Sequence, residues 1–491
     1  MYLEEIEHTR IKVSKLTDAK YKSKLGQFLT PEPIAKFMAS LFPTTESNEC
    51  KLLDAGAGIG SLSNAFFDRC QRKELKFKKI FLSAFEIDTS LCLELEKNLK
   101  KNFSDIEYYY EVRNENYIES SVNSIKFKSP QDYSHAILNP PYLKINSLSQ
   151  NRLLLRDVGI ETVNLYSAFV ALSILLMKEG GHVVAIIPRS FCNGPYYKPF
   201  RKFILQKCAI RHIHLFDSRS SAFKDDGVLQ ENVILHLEVG SVQTDVKVSK
   251  STDERFEDYA EQIYSFKTIV NSYDLESFIH IPTPGKDERV SSISFAHYEL
   301  NEIGISVSTG PVVDFRLKNH LRAMPEKGAS PLLYPAHFTN CKIEWPKLDI
   351  KKPNAIMYNS ETAKWFYLNG FYCVVRRFSS KEEKRRIVAC VVEPNCFKNE
   401  KYIGFENHLN VLHSNKHGLQ EELAKGLALY LNTTVVDTYF RMFSGHTQVN
   451  AADLKLIKYP SREALIELGK NYNKVADDQN MIDEIVKKVC E

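Results

Sequence analysis

The stretch Lys51-Leu52-Leu53-Asp54-Ala55-Gly56-Ala57-Gly58-Ile59-Gly60-Ser61-Leu62 decides the fold. Its first four residues read as a short buried strand, and a helix follows the glycines. Those glycines let the backbone turn sharply and approach a ligand closely, while the start of the next helix presents free N–H groups. A glycine-rich strand-to-helix turn also serves dinucleotides, and it can be nothing more than a tight connection.

Outward from this turn the pattern repeats. Further strand candidates are Ile80–Glu86, His135–Leu138, His182–Ile187 and Asn232–Leu237. Between them, Leu91–Lys101 and Tyr166–Met177 carry apolar residues at helical spacing, and Gly180-Gly181 reads as the closing signal of the second helix. Lys51 to about Glu238 is therefore expected to be α/β: a Rossmann-like, mostly parallel sheet with helices on both faces. After Gly240 come polar linker, Pro-rich turns such as Ile281-Pro282-Thr283-Pro284-Gly285, and short β-like runs, which indicate a second, mixed α+β domain. There, 371–378 and 385–392 flank a polar turn and read as a hairpin. From Ser461 the pattern returns to helix. The expected division is a helical extension (1–24), an α/β domain (25–240), a mixed domain (241–460) and a helical tail (461–491).

Bulk properties bound the function. A chain of 491 residues exceeds what one core usually organises, and 43% hydrophobic with 26% charged residues is ordinary for a soluble globular protein. The charged start, Met1 to Lys24, lacks the apolar stretch of a secretory signal, so a cytoplasmic location is expected. Ten cysteines are scattered without a C-x2-C pair or a histidine partner at zinc-like spacing, which argues for reduced thiols and against a metal site. A net charge of +4 permits nucleic acid as a partner without arguing for it.

Two motifs carry chemistry. Glu86 ends a strand candidate, where a carboxylate can accept hydrogen bonds from both hydroxyls of a ribose. With the glycine turn upstream it favours a ribose-containing cofactor; alone it would read as a solvated strand end. Asn139-Pro140-Pro141-Tyr142 follows the strand candidate ending at Leu138. The prolines stiffen the turn and fix its carbonyl directions, Asn adds a side-chain acceptor, and Tyr adds an aromatic face. Such a loop suits an amino group conjugated to a ring, as in adenine N6. Its lone pair is delocalised, so it attacks a methyl group poorly until acceptors hold both hydrogens and steer the nitrogen toward tetrahedral geometry. Asn139 Oδ1 and the Pro140 carbonyl would be those acceptors, with Tyr142 stacked on the base. Alignment and electrostatics, rather than a strong general base, would carry the step. The bland alternative is a Pro-Pro turn that merely ends a strand.

With these residues in place, the sequence resembles the Taq-type, or gamma-class, N6-adenine DNA methyltransferases of bacterial type II restriction-modification systems. Motif order carries the resemblance: Leu25-Gly26-Gln27-Phe28-Leu29-Thr30-Pro31, the glycine turn, Glu86, Asn-Pro-Pro-Tyr, then a distal domain. It covers about residues 20–240, and implies a class I methyltransferase domain at 25–240, a DNA target-recognition domain at 241–460, and S-adenosylmethionine as methyl donor. By position, it puts Thr30 and the glycines Gly56, Gly58 and Gly60 against the amino-acid part of the cofactor, Asp54 on its amino group and Glu86 on its ribose. Asn116-Tyr117 stands where the family usually has Asp-Phe holding the cofactor's adenine; an amide still accepts from that amino group, without charge assistance. Asn164-Leu165-Tyr166-Ser167-Ala168-Phe169 looks like the family's helix start, with Phe169 against the same adenine. Tyr197 falls where the family has an aromatic on the second face of the flipped base, forming a sandwich with Tyr142. The resemblance also implies duplex DNA as partner, a bacterial, nucleoid-associated setting, and a cognate restriction endonuclease that shares the site without forming a stable complex.

Farther on, Val307–Phe315 and Ser444–Asn450 look like segments bracketing the recognition domains of some type II methylases. Arg376 to Arg386 carries a net charge of +4. Clustered cations near a turn contact phosphates, and Arg can read guanine, so Arg376, Arg377, Arg385 and Arg386 are the candidates for DNA contact. A charged turn is otherwise simply solvated. A protein glutamine N5-methyltransferase would share Asn-Pro-Pro-Tyr, yet such enzymes resemble only the first half of this chain. The Gly26–Pro31 segment and the length after Gly240 fit DNA recognition better. A non-catalytic DNA-binding module is disfavoured by the intact Asn139–Tyr142 loop, and a fused endonuclease by the want of an Asp…Glu-x-Lys constellation.

Overall fold

The computed structural model describes residues 2–18, 26, 28–100, 107–128, 132–217, 231–272, 274–285, 293, 295–397, 400–445 and 447–490. Leu25, Gln27, Lys101 and His446, and 19–24 of the expected amino-terminal extension, lie outside the described residues. The chain forms two compact units, Met1–Lys286 and Asp287–Glu491.

The first unit is built on a nine-stranded sheet of β1 (Glu46–Ala55), β2 (Lys76–Phe85), β3 (Glu107–Arg113), β4 (Tyr133–Leu138), β5 (Met177–Pro188), β6 (Cys208–Phe216), β7 (Asn232–Val239), β8 (Val246–Ser251) and β9 (Ala260–Tyr264). The strand order is 3-2-1-4-5-7-6-8-9. Strands β3, β2, β1, β4 and β5 are parallel, and β7 runs antiparallel between β5 and β6. This is a Rossmann-like, mostly parallel sheet covered by helices on both faces, as expected. Its helices are α1 (Tyr2–Leu16), α2 (Glu32–Ser40), α3 (Ser61–Gln71), α4 (Thr89–Leu99), α5 (Tyr117–Lys126), α6 (Gln150–Asp157), α7 (Leu165–Leu176) and α8 (Lys198–Lys207). Neighbouring residues of β1 and β4 serve opposite cores: Leu53 and Leu138 pack with α5 and α7, Leu52 and Ile137 with α2 and α3. Because both faces are covered, these strands read as continuous apolar runs, which made them legible. The carboxyl ends of β1, β2 and β4, where such sheets bind ligands, carry the glycine turn, Glu86 and Asn139.

Two expectations change. Gly180-Gly181 does not close a helix: α7 ends at Leu176 and the chain enters β5 at Met177, so the glycines fall inside β5, beside an irregularity in its pairing with β4. The boundary after Gly240 also moves, because β8 pairs parallel with β6 and β9 pairs antiparallel with β8. The polar texture read as linker has a physical cause: the inward residues of β8 include Ser249 and Ser251, whose hydroxyls face histidines of β6.

The second unit is mixed α+β, as expected. A four-stranded antiparallel sheet takes Ser306–Thr309, Leu409–His413, Tyr372–Arg376 and Ala389–Val392 in that order, and a five-stranded sheet includes Ala329–Leu333 and Tyr402–Phe405. The hairpin is present with a shorter second arm, pairing Tyr372 with Val392 and Val375 with Ala389. The helical tail is not separate. Gly469 lies so close to the helix Glu421–Leu431 that a Cβ would meet the Glu422 carbonyl oxygen at 1.8 Å, so 462–469 packs into this unit.

One feature of the first unit escapes any strand pattern. His135 of β4, His182 of β5, His236 of β7, and His212 and His214 of β6 form a file across adjacent strands, buried except for the half-buried His182. His182 Nδ1 lies 3.1 Å from His236 Nε2, and the His135 and His182 ring centroids are 5.9 Å apart. Phe37 of α2 packs on His214 at 4.5 Å, and Phe42 on His135 at 5.3 Å. Burial lowers each ring's pKa, to about 3 for His135, His214 and His236 and about 4 for His212. The unfolded chain, with imidazoles near 6.5, therefore takes up protons first as pH falls, and stability is lost from pH 6.5 downward. By pH 5.5 each of these four rings should cost on the order of 1 kcal/mol. Denaturant melts at pH 7.5 and 5.5 should show a loss of several kcal/mol; equal stability at both would contradict the neutral file.

Candidate active site

The glycine turn is pinned before any ligand arrives. Gly56, Gly58 and Gly60 have φ of +79°, +57° and +86°, a region that side-chain-bearing residues rarely adopt. Gly56 and Ala57 N–H groups both donate to the Phe85 carbonyl at 2.9 Å, and Gly58 N–H donates to Glu86 Oε2 at 2.9 Å. The other Glu86 oxygen accepts from Asp88 N–H, also at 2.9 Å. Burial pushes the Glu86 carboxyl upward in pKa, and these backbone donors oppose the shift. The carboxylate lines a cleft of about 880 Å³, together with Gly56, Gly58, Asn116, Tyr117 and Phe169, and with Asn139 and Pro141. Asp54 lies beneath. It is fully buried, Oδ2 accepts from the Ser63 hydroxyl at 2.5 Å, and Oδ1 has no partner among the described residues. Burial raises its pKa to about 7.

The Asn139 amide is oriented by the segment that precedes α2. Nδ2 donates to the Phe28 carbonyl at 2.7 Å and to Thr30 Oγ1 at 3.0 Å, while Tyr142 N–H donates to the Gly26 carbonyl at 3.1 Å. Both donor positions of the amide are thereby taken up by protein, which leaves Oδ1 as the end available to a substrate. Thr30, expected against the cofactor, has Asn139 as its observed partner. The Tyr142 hydroxyl donates to Asn139 Oδ1 and to the Ile186 carbonyl, both at 3.2 Å. Among the described residues no group donates to the Pro140 carbonyl.

The aromatic wall has more members than the sequence indicated. The Tyr117 ring sits between Phe85, at 5.0 Å, and Phe169, at 4.8 Å, and its hydroxyl is 2.9 Å from Ser173 Oγ. Asn116 caps α5, its Oδ1 accepting from Ile118 N–H at 3.0 Å while Nδ2 donates to Asn151 Oδ1 at 3.2 Å. Asn151, which also lines the cleft, carries no motif and had no sequence signal. Tyr142 and Tyr197 do not form an open sandwich. Tyr166 is stacked on Tyr197 at 5.7 Å and meets Tyr142 edge-on at 6.3 Å, and the buried Tyr197 hydroxyl accepts from Asn164 Nδ2. Its neighbour Tyr196 is 73% exposed.

Comparison with known proteins identifies the family. The Eco57I restriction-modification methylase family matches residues 58–223. The type II methyltransferase M.BsuBI of Bacillus subtilis is 52% identical over 474 residues, covering 95% of this chain and 93% of that protein. The chain belongs to the type II methyltransferases. M.PstI of Providencia stuartii is 41% identical over 492 residues, covering 98% of this methyltransferase and 96% of that one. The nuclease-deleted Type ISP restriction-modification enzyme LlaGI, solved with a DNA substrate mimic, shares the fold: TM-score 0.50, 11% identity, 92% of this chain and 55% of that one. The enzyme is thus a DNA methyltransferase of the restriction-modification class.

In this methyltransferase the four candidate arginines of the second unit divide. Arg386 is buried, donating to Ser379 and Ser444 hydroxyls at 3.1 and 3.0 Å, and cannot reach a phosphate. Arg385 is engaged by Gln479 and the Thr433 carbonyl. These two hold helices to the sheet, a role their charge hid. Arg376 pairs with Glu383, and Arg377 spans the Asn407 carbonyl and Gln448 Oε1, both guanidinium groups being only half-buried.

Replacing Thr30 by Val removes one of the two acceptors that orient Asn139. Turnover should fall on the order of 10-fold, about 1.4 kcal/mol, the scale of one hydrogen bond, with cofactor affinity nearly unchanged. Thr30→Ser should restore most of it. A variant that loses cofactor binding instead would return Thr30 to the cofactor.

Proposed function

We propose that this enzyme transfers the methyl group of S-adenosylmethionine to N6 of an adenine flipped out of duplex DNA at a specific site, protecting host DNA beside a cognate endonuclease. The observation that carries the reading is the fixed Asn139 amide next to an undonated Pro140 carbonyl. Together they offer two acceptors to an amino group bearing two hydrogens. Drawing both hydrogens aside localises the N6 lone pair, and holding the nitrogen in line supplies most of the acceleration.

The residues present fit the donor. The orphaned Asp54 Oδ1 is a buried acceptor suited to a cationic amine, the Glu86 carboxylate to ribose hydroxyls, and Tyr117 and Phe169 to a purine face. When bound, S-adenosylmethionine supplies a methyl group activated by a sulfonium. The chain's part is to align the acceptor nitrogen and exclude water. We assign one face of the flipped base to Tyr142. For the other face we take Tyr196, whose ring is exposed, over Tyr197, whose ring and hydroxyl are already engaged.

Asn139→Ala should lower methyl transfer to duplex DNA by at least about 100-fold, the scale of losing a preorganised polar contact, while cofactor affinity stays within a few-fold. Label from methyl-labelled cofactor appearing on protein instead of DNA would overturn the reading. Extrusion costs a few kcal/mol, less where pairing is already broken, so mispairing the target adenine should tighten binding. With 2-aminopurine at the target, fluorescence should rise on binding to Tyr142→Ala or Tyr196→Ala, because stacking on either ring quenches it. A response to Tyr197→Ala alone would reinstate Tyr197, and none from any variant or mismatch would refute flipping.

A further inference from the structure

The stretches 307–315 and 444–450, singled out in the sequence, converge on one turn of the second unit, 405–409. Gly310 crosses this turn so closely that a Cβ would lie 2.2 Å from the Glu406 carbonyl oxygen. Gly310 N–H donates to the Leu409 carbonyl at 2.8 Å, Val312 N–H to the Phe405 carbonyl at 3.1 Å, and Asn407 N–H returns to the Val312 carbonyl at 2.9 Å. On the other flank, Asn410 Nδ2 donates to the Val449 carbonyl at 2.7 Å, and Arg377 ties Gln448 to the Asn407 carbonyl. A turn clamped from two sides presents its side chains in one fixed geometry.

The side chain so presented is His408. Glu406 is wholly buried, and its carboxylate accepts the His408 backbone N–H at 2.9 Å and faces ring Nδ1 at 2.5 and 2.7 Å from its two oxygens. A carboxylate removed from water needs such donors, so Nδ1 carries a proton and the ring cannot turn over. Phe378 packs on the ring at 4.8 Å between centroids. The outward nitrogen, Nε2, has no partner among the described residues, on a side chain 36% exposed. Around it the surface offers aromatic faces and cations: Phe378 is 44% exposed, Phe315 is 64% exposed with the Arg316 guanidinium over its ring at 5.5 Å, and Arg377 is half-buried. The nearby acid, Asp314, is already paired with Lys352 at 2.9 Å.

We propose that His408 contacts duplex DNA through Nε2, with Glu406 as its positioning residue. This rests on the DNA reading given above. The DNA group it meets is either a phosphate oxygen, to which Nε2 can donate only as part of an imidazolium, or a polar atom of a base edge, and the two have different signatures. Phosphate contacts weaken all sequences alike and contribute to the salt dependence, whereas base contacts act at one sequence.

The full-length protein is titrated by fluorescence anisotropy into two duplexes, one holding the site that the wild type methylates and one scrambled, over a range of salt. His408→Ala is expected to bind the methylated site at least 10-fold more weakly with unchanged thermal unfolding. If the contact is to phosphate, both duplexes weaken and the slope of log affinity against log salt falls by about 1. If it is to a base, the site duplex alone weakens. Glu406→Gln should lose part of the same affinity and add nothing to His408→Ala, whereas a Glu406 acting only on stability would add its own loss. His408→Ala, which stays informative should Glu406→Gln fail to fold, overturns the proposal if it binds both duplexes as the wild type does. A wild type that binds neither duplex would overturn the DNA reading itself, and His408 with it.

Discussion

The Asn139 carboxamide has two ends of similar shape and opposite polarity, and two hydrogen bonds, to the Phe28 carbonyl and the Thr30 hydroxyl, decide which end faces the cleft. Turned the other way, the amide would offer N–H groups to an amino group and repel it. The acceptors come from more than a hundred residues away in sequence, so the site exists only once the amino-terminal segment is docked. That segment runs straight into α2, whose buried Ile34, Ala35 and Met38 pack on the sheet and whose Phe37 lies on the histidine file. Orientation of one side chain thus depends on burial of a whole helix. Whatever loosens α2, acid included, would also disorient Asn139.

The cofactor end follows a different logic. Glu86 already serves two backbone N–H groups, and those same bonds hold the glycine turn open. A ligand hydroxyl there adds to an existing arrangement and need not create one, so little ordering cost falls on binding. The carboxylate is therefore a strut and, in the proposed role, a contact as well, so Glu86→Ala would confound the two.

Much of this was legible because the chemistry and the strand pattern coincide. Strands buried on both faces announce themselves as apolar runs, and the glycine turn, Glu86 and Asn139 stand at their carboxyl ends, so finding the strand places the residue. Legibility failed where partners were distant or polar. Ser249 and Ser251 made a core strand look like linker, because serine is polar until one knows that histidine faces it. Arg385 and Arg386 looked like a DNA-binding pair because sequence shows charge without showing Gln479, Ser379 or Ser444. Tyr196 and Tyr197 are adjacent and identical in type; their assignment turns on Asn164 and Tyr166, thirty residues earlier, and no local rule separates them. Glu406 and His408, two residues apart, gave no motif at all.

Asp54 adds a consequence in the currency of protons. With a pKa near 7, this buried carboxyl is protonated in a large share of ligand-free molecules at neutral pH. In the role proposed for Asp54, a cationic amine seated on its spare oxygen would favour the ionised form, so binding would expel a proton to solvent. The measured heat of binding then depends on the ionisation enthalpy of the buffer, and the grip on the methyl donor slackens as pH falls below about 7. Under the proposed role of Asp54, methylation of newly made DNA would then slow as the surroundings acidify.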